Sequence, residues 1–254
     1  MLIAGAGPGM GRAIAVLAAQ RGYDLALLAR RAAVLEETAA LVKAEGRAAL
    51  CLPADATDPA QVSSTMETLL ARFGRLDILV HSLLPPLFLK RIRDLGGPDD
   101  LEAWRRSVEI SHFGAMLMAC AAAKPMLAAG QGSMVFVTAT SGLQSYPAVS
   151  AHAVGKAGIH ALMQSLAAEM GPLGIRANAV ATGVIDGATS RTPQENMSLG
   201  MIADIRDAID PSRAALRRNI TEHEVAEAVL FLASDMSLGI TGQILAADAG
   251  RFFH

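Results

Sequence analysis

The sequence contains little cysteine and no long hydrophobic run. Its two cysteines, Cys51 and Cys120, stand far apart among 254 residues and lack the spacing of metal ligands. This argues against a disulfide framework or a zinc site and is typical of a reducing compartment, so we expect both to be small core residues. The longest apolar run, Phe113 to Ala123, ends at Lys124. A bilayer span needs roughly 20 residues, so we expect no membrane segment.

An excess of charge of either sign is also absent. The formal net charge is -2, and the basic residues are scattered along the chain. Nucleic acids and anionic membranes attract clustered basic residues, so we expect neither as a partner. The expected partner is a small molecule. The first residues, MLIAGAGPGMG, lack the basic start and the cleavage site of a secretory signal. We therefore expect a cytoplasmic protein.

What the chain does contain is a regular alternation of short β-rich runs with longer helical segments. This order is typical of βαβ units in a parallel sheet. The runs are apolar without strict alternation, as expected when helices cover both faces of the sheet. No linker or repeat interrupts the series, so we predict one doubly wound α/β domain over residues 1–254. The seven predicted strands lie in LIAG, DLALLAR, AALCL, DILVHS, SMVFVTA, IRANAVA and QILAAD.

Two segments fall outside this alternation: LLPPLFLKRIRDLGGPDD after the fourth strand, and residues 187–219 after the sixth. Ligands of open α/β sheets bind beyond the carboxyl ends of the strands, where both segments begin. We therefore expect pocket walls from the first segment and a substrate lid at about 187–219. The side chains expected to line a hydrophobic substrate pocket are Leu83, Leu84, Pro85, Phe88, Met197 and Ile202.

A glycine cluster joins the first strand to the first helix. In AGAGPGMGRAIA, Gly5, Gly9 and Gly11 follow the strand directly and open the helix. Glycine allows a tight turn and a close approach of the backbone to a pyrophosphate, which the helix N-terminus then stabilises. This placement predicts a dinucleotide site, although a purely structural turn would use the same residues.

The cofactor preference is indicated by the end of the second strand. An NAD site places a carboxylate there for the ribose 2′-hydroxyl, but this chain has Arg30 and Arg31 in LLARRAAV. Two arginines can pair with a 2′-phosphate, so we favour NADP over NAD. Two solvated arginines at a helix start remain the alternative. Asp55 follows the third strand and is expected either to accept from the adenine amino group or to cap the next helix together with Asp58.

These features together resemble the short-chain dehydrogenase/reductase family over the whole chain. The matching elements include the glycine loop, Asp55, LDILV, Lys156 in VGKAGIHALMQSLAAEM, and GIRANAVATG with Arg176 and Asn178. The resemblance implies a three-layer, Rossmann-type fold of about seven parallel strands, a nicotinamide cofactor, and a homodimer or homotetramer. The cofactor-binding positions are expected to be Gly5, Gly7, Gly9, Met10, Gly11, Arg30, Arg31, Asp55, Ala56, His81, Ser82, Lys156, Gly183 and Ile185.

The catalytic positions depart from the family pattern. The family's serine after the fifth strand falls on Ala139, and its tyrosine falls on His152 in SAHAVGKAG. The helix-four asparagine that carries a proton-relay water falls on Ser111. Of the usual Asn, Ser, Tyr and Lys set, only Lys156 remains, and it is expected to hold the cofactor ribose.

His152 can still take part in chemistry. A histidine starts from a pKa of about 6.5, and adjacent positive charges lower it, so His152 should be neutral at pH 7. A neutral imidazole can act as a base toward an alcohol, or donate a hydrogen bond that polarises a carbonyl. Ser141 and Tyr146, in the loop before the helix, are the other candidate hydroxyl groups. The alternatives are a noncatalytic His152 and a Tyr146 that only packs beside Pro147.

The predicted function is an NADP(H)-dependent oxidoreductase acting on an apolar carbonyl, alcohol or enoyl compound. Two alternatives stay open: an NADP(H)-binding protein without redox turnover, in a regulatory or scaffold role, and an enoyl-thioester reductase. The VHS sequence at residues 80–82 is similar to the enoyl-reductase branch of the family, whereas Val149 stands where that branch has its tyrosine. A zinc site from His81, His112 and His152 has no motif to support it, and no metal is expected.

Overall fold

The computed structural model describes residues 1–186 and 209–252. Its centre is a parallel sheet of seven strands, and all seven predicted strands are confirmed. They are β1 Leu2–Ala4, β2 Leu25–Ala29, β3 Ala49–Pro53, β4 Ile78–His81, β5 Gly132–Ala139, β6 Ile175–Thr182 and β9 Ile244–Ala247. Their order in the sheet is β3-β2-β1-β4-β5-β6-β9. The remaining pair, β7 Ile185–Asp186 and β8 Ile220–Thr221, forms a small parallel sheet beside them.

Helices cover both faces of the sheet. They are α1 Met10–Gln20, α2 Ala32–Ala44, α3 Pro59–Phe73, α4 Pro98–Val108, α5 Gly114–Ala129, α6 Ser150–Met170 and α7 Glu222–Ala233. One core lies between the sheet and α3, α5 and α6, and the other lies between the sheet and α1, α2 and α7. This is the three-layer Rossmann-type domain that the sequence predicts.

The short strand β4 shows why its sequence is apolar at successive positions. Ile78 and Val80 belong to the core under α1 and α7, whereas Leu79 belongs to the core under α5 and α6. His81 follows Leu79 on the second face and its ring lies 6.0 Å from that of Phe136. Because helices cover both faces of the sheet, every side chain of β4 is buried, including that of the polar residue His81.

The helical stretch Pro98–Ala129 is long and apolar enough to cross a membrane by length and composition alone. Its apolar residues serve the core instead, because Ala115, Met118, Ala122 and Met126 of α5 are buried against the sheet. A π-helical turn, Glu109–Phe113, separates α4 from α5 and carries Ser111. Such turns change the facing of the residues that they contain and often occur at functional sites.

Arg176 and Asn178 connect β6 to the segment before β9. The Arg176 guanidinium donates to the carbonyls of Leu232, Ser234 and Ile240. The amide of Asn178 donates to Ile240 at 2.9 Å and accepts from Gln243 N–H at 3.0 Å. Both residues therefore form hydrogen bonds with backbone groups where a loop crosses the amino end of the sheet, and these bonds stabilise the fold.

Two sequence expectations need comment. The prediction that both cysteines are core residues is wrong, since Cys51 is half-buried and Cys120 is exposed. Cys120 lies on the outer side of α5, with its sulfur 3.7 Å from Met116 Sδ. Most of the expected lid, residues 187–208, lies outside the described residues.

Replacing Arg176 by methionine should destabilise the fold, because methionine keeps the packing of the stem but leaves three carbonyls without their charged donor. A hydrogen bond from a charged group contributes about 1.5–3 kcal/mol, so urea unfolding should show a loss of about 2 kcal/mol for this partly exposed side chain. Arg75→Met is the control, since Arg75 is exposed and its ion pair within the described residues is with neighbouring Asp77. Equal unfolding midpoints for the two variants would contradict the role given to Arg176.

Candidate active site

The cofactor candidates meet at the carboxyl edge of the sheet. Because the strands are parallel, the loops after β1, β2, β3 and β4 all open on the same side. They enclose a cleft of about 580 Å³. The predicted cofactor residues that line it are Gly5, Gly7, Met10, Gly11, Arg30, Arg31, Asp55, Ala56 and Ser82.

Two glycines of the first loop allow the backbone to turn tightly beside the cleft. Gly5 has φ of +98°, and a Cβ there would lie 2.5 Å from the Ser82 carbonyl oxygen. At Gly11 a Cβ would lie 1.9 Å from the Gly5 carbonyl oxygen. Any side chain at either position would push the loop away from the start of α1, whose N-cap is Gly9. The loop, the open helix terminus and the cleft together fit a dinucleotide pyrophosphate.

Arg30 and Arg31 lie at the cleft where β2 leads into α2. Both are exposed, and Arg31 is the N-cap residue of a helix with no acidic residue in its first turn. Neither arginine makes an ion pair with a carboxylate of the described residues. Two cations and an uncapped helix terminus favour an anion here.

Asp55 is held by its own loop and by α4. Its carboxylate accepts from the backbone and hydroxyl of Thr57 at 2.9 and 2.7 Å, and it lies 3.5 Å from the Arg106 guanidinium. Burial raises its pKa, but the Thr57 hydrogen bonds and the charges of Arg106 and Arg30 lower it further, so the pKa is below its ordinary value. Asp58, not Asp55, caps α3. Asp55 is therefore an oriented carboxylate that lines the cleft.

Lys156 lies in the interior behind the cleft. Its ammonium group donates to the carbonyls of Val137 at 3.2 Å and Leu83 at 3.4 Å. No carboxylate of the described residues pairs with it. Burial alone lowers the pKa of Lys156 to about 8.

His152 lies one turn before Lys156 on α6, so the two side chains share one face of the helix. Its pKa is lowered to about 3, first by burial and second by the charge of Lys156. The expectation of a neutral imidazole is supported, but its main cause is desolvation rather than neighbouring charge. The same two effects lower the pKa of His81 to about 3.

Several buried polar groups near Lys156 have no hydrogen-bond partner among residues 1–186 and 209–252. They are both ring nitrogens of His81 and the hydroxyls of Ser82, Ser111 and Ser141. Ser111 packs on α6, because a Cβ at Gly155 would lie 2.8 Å from its Oγ. Buried polar groups are rarely left unpaired, so the cluster is suited to a polar ligand or water.

Other predicted residues lie apart from this cluster. Tyr146 lines a separate open cavity with Arg91 and Pro147, although its hydroxyl is 3.5 Å from that of Thr140. Gly183 packs against Asp248 at the end of β6, and Ile185 packs on the core under α1 and α7.

The predicted pocket wall is only partly placed at the cleft. Leu83, Leu84 and Pro85 line it, whereas Phe88 does not. Met197 and Ile202 lie outside the described residues.

The zinc site from His81, His112 and His152, for which the sequence has no motif, does not form among the described residues. His112 is exposed, with Nδ1 3.0 Å from the Val108 carbonyl oxygen. Within residues 1–186 and 209–252, no three His, Cys, Asp or Glu side chains are grouped to hold a metal.

Several residues that contribute to the cleft were not among the predicted positions. Val34 and Ile110 line it, and Arg106 orients Asp55. Val34 and Ile110 have ordinary helix patterns, and Arg106 is 51 positions from Asp55, so no local signal identifies them. Thr57 is different, since an Asp-x-Thr turn is a recognisable pattern.

Comparison with known proteins places the chain in a family. A family model described as enoyl-(acyl carrier protein) reductase matches residues 5–251. Cis-4-hydroxycyclohexanecarboxylate dehydrogenase of Sinomonas cyclohexanicum is 35% identical over 98% of this chain and 94% of its own. The NADH-dependent enoyl-acyl-carrier-protein reductase FabI of Synechocystis is 36% identical over 79% of this chain and 74% of its own.

Solved structures of related proteins have the same fold. Carveol dehydrogenase from Mycobacterium avium, in complex with NAD, has a TM-score of 0.86 and 27% identity over 98% of this chain and 96% of its own. The fold, the glycine loop and these relatives lead to one conclusion. The chain belongs to the short-chain dehydrogenase/reductase family of oxidoreductases.

Proposed function

We propose that the protein is an NADP(H)-dependent oxidoreductase that acts on an apolar carbonyl, alcohol or enoyl substrate, with His152 in the place of the usual tyrosine. The observation that carries this proposal is the placement of a neutral His152 one turn from a buried Lys156, next to a cleft with dinucleotide features. Several relatives bear the names of dehydrogenases or reductases, which supports the reaction class.

Different residues of the cleft would bind different parts of the cofactor. The loop from Gly5 to Gly11 would hold the pyrophosphate, and Asp55 would face the adenine. Arg30 and Arg31 would pair with a 2′-phosphate, which supports NADP. Some relatives and neighbours use NADH or bind NAD, so this preference rests on the two arginines of this chain.

A bound nicotinamide would supply or accept the hydride. Lys156, which retains a positive charge below about pH 8, would hold the ribose hydroxyls and stabilise negative charge on the substrate oxygen. His152 would donate its N–H to that oxygen or, in alcohol oxidation, accept the hydroxyl proton. Ser111 and Ser141 have buried hydroxyls that no other described residue pairs with, and they would bind the same oxygen or a water beside it.

Among these substrates, the enoyl class suits His152 well. Reduction of a conjugated double bond leaves negative charge on the carbonyl oxygen, and the proton that completes the product can reach carbon from solvent. A neutral imidazole that only donates a hydrogen bond is sufficient for that step. The apolar residues Leu83, Leu84 and Pro85 at the cleft support an acyl-type substrate.

Replacing Arg30 and Arg31 together by alanine should change the cofactor preference. Loss of two charged donors should weaken NADPH binding by about tenfold or more and leave NADH binding within about twofold. Titration of protein fluorescence with each cofactor measures both constants. Arg72→Ala, an exposed arginine on α3, is the matched control. Equal losses for the two cofactors would contradict the 2′-phosphate role.

His152→Ala should lower kcat by about 100-fold, because general acid–base or hydrogen-bond assistance is lost, while NADPH binding is retained. Absorbance of NADPH is followed with crotonyl and longer enoyl thioesters, aliphatic ketones and secondary alcohols. His152→Tyr should regain part of the rate on ketones, since a phenol can donate a proton. Unchanged rates for His152→Ala would remove this residue from the mechanism. A parent chain that binds NADPH but turns over none of these compounds would instead support the nonredox alternative.

The pH profile should show the titration of Lys156. Its pKa of about 8 lies below the usual lysine value, so its charge is present below pH 8 and is lost above it. The kcat/KM value should fall above pH 8 with a slope of about one per pH unit, and His152 should add no acid limb near pH 6. In Lys156→Arg the charge persists, so the remaining activity should lack the alkaline limb. An alkaline limb retained in that variant would contradict the assignment.

A further inference from the structure

A buried histidine beyond the cofactor cleft has no role in the chemistry above. His160 lies four residues after Lys156, so it occupies the same face of α6, and it is 6% exposed. Its Nε2 lies 2.8 Å from the hydroxyl oxygen of Thr138 on β5. The pKa of His160 is lowered to about 4 by burial and by the charge of Lys156. The ring is therefore neutral in the physiological range.

The Cε1 atom of the imidazole, next to Nε2, faces the turn that follows β5. A Cβ at Gly142 would lie 3.0 Å from His160 Cε1 and 2.9 Å from the backbone nitrogen of Ala157. Only a residue without a side chain can approach α6 this closely.

These contacts assign one tautomer. A neutral imidazole has one N–H and one lone pair. The Thr138 hydroxyl donates to the Val180 carbonyl at 3.3 Å, so its oxygen accepts from Nε2–H of His160 at 2.8 Å. Thr138 is itself fixed in the sheet, because its carbonyl accepts from Thr182 Oγ1 at 3.1 Å. His160 therefore connects the rigid sheet to the turn Thr140–Gly142 through a single ring.

The turn carries Ser141, whose buried hydroxyl has no partner within the described part of the chain. The family's serine position is occupied by Ala139, the last residue of β5, and cannot supply a hydroxyl. We propose that His160 is a positioning residue that holds the turn Thr140–Gly142 against α6, so that the Ser141 hydroxyl binds the substrate oxygen in place of the missing serine. This proposal rests on the proposed function for its catalytic consequence.

The test compares four variants of the full chain. His160→Phe keeps the ring volume and removes the hydrogen bond to Thr138, and His160→Gln can restore a donor at this position. Thr138→Val removes one partner with little change of shape, and Ser141→Ala removes the positioned group. For each variant, kcat, KM and the NADPH dissociation constant are measured, together with hydrogen exchange of the amides of residues 139–146.

We expect His160→Phe and Thr138→Val to lower kcat by about tenfold, the equivalent of one lost hydrogen bond, with NADPH binding unchanged. Exchange of the turn amides should become faster. His160→Gln should recover most of the rate, and His160→Phe should add no further loss to Ser141→Ala, because both act through one hydroxyl.

Three results would overturn the inference: unchanged exchange in His160→Phe, faster exchange with unchanged kcat, or additive losses with Ser141→Ala. Failure of the proposed function has a different signature, which is absence of turnover in the parent chain. In that case the proposed binding of the substrate oxygen by Ser141 is contradicted as well. The exchange measurement still decides whether His160 holds the turn.

Discussion

The site depends on a buried positive charge that no carboxylate of the described residues neutralises. The Lys156 ammonium is held by the carbonyls of Val137 and Leu83, and these dipoles only partly replace the hydration that it has lost. Its pKa consequently falls to about 8. Its charge and the dry surroundings together keep His81, His152 and His160 neutral. A site with one cation and several neutral donors is suited to hold negative charge on a substrate oxygen.

The parallel sheet makes this arrangement feasible. It places the carboxyl ends of β1 to β5 on one edge, so that a glycine loop, two arginines, an aspartate and Lys156 come from distant parts of the chain to one region. The π-helical turn at Glu109–Phe113 then places Ser111 against Gly155 of α6. His152 lies in the same arrangement, one turn before Lys156 on α6.

Local patterns were sufficient to predict much of the fold. Seven apolar runs became the seven strands, because a strand covered on both faces requires apolar residues throughout. The glycine loop was also predictable, since few residues other than glycine can occupy positions such as Gly5 and Gly11. Cys120 was predicted wrongly because a small residue on an alanine-rich helix gives little indication of the face on which it lies.

The sequence by itself determined the fold class and the place of the glycine loop, because each depends on residue type at a position or on short-range spacing. The tertiary structure alone decided the partners of those residues. Arg106 orients Asp55 across 51 positions, and His160 meets Thr138 across 22. It also decided that desolvation, more than neighbouring charge, makes His152 neutral, since burial is a property of the packed chain and not of any segment of it.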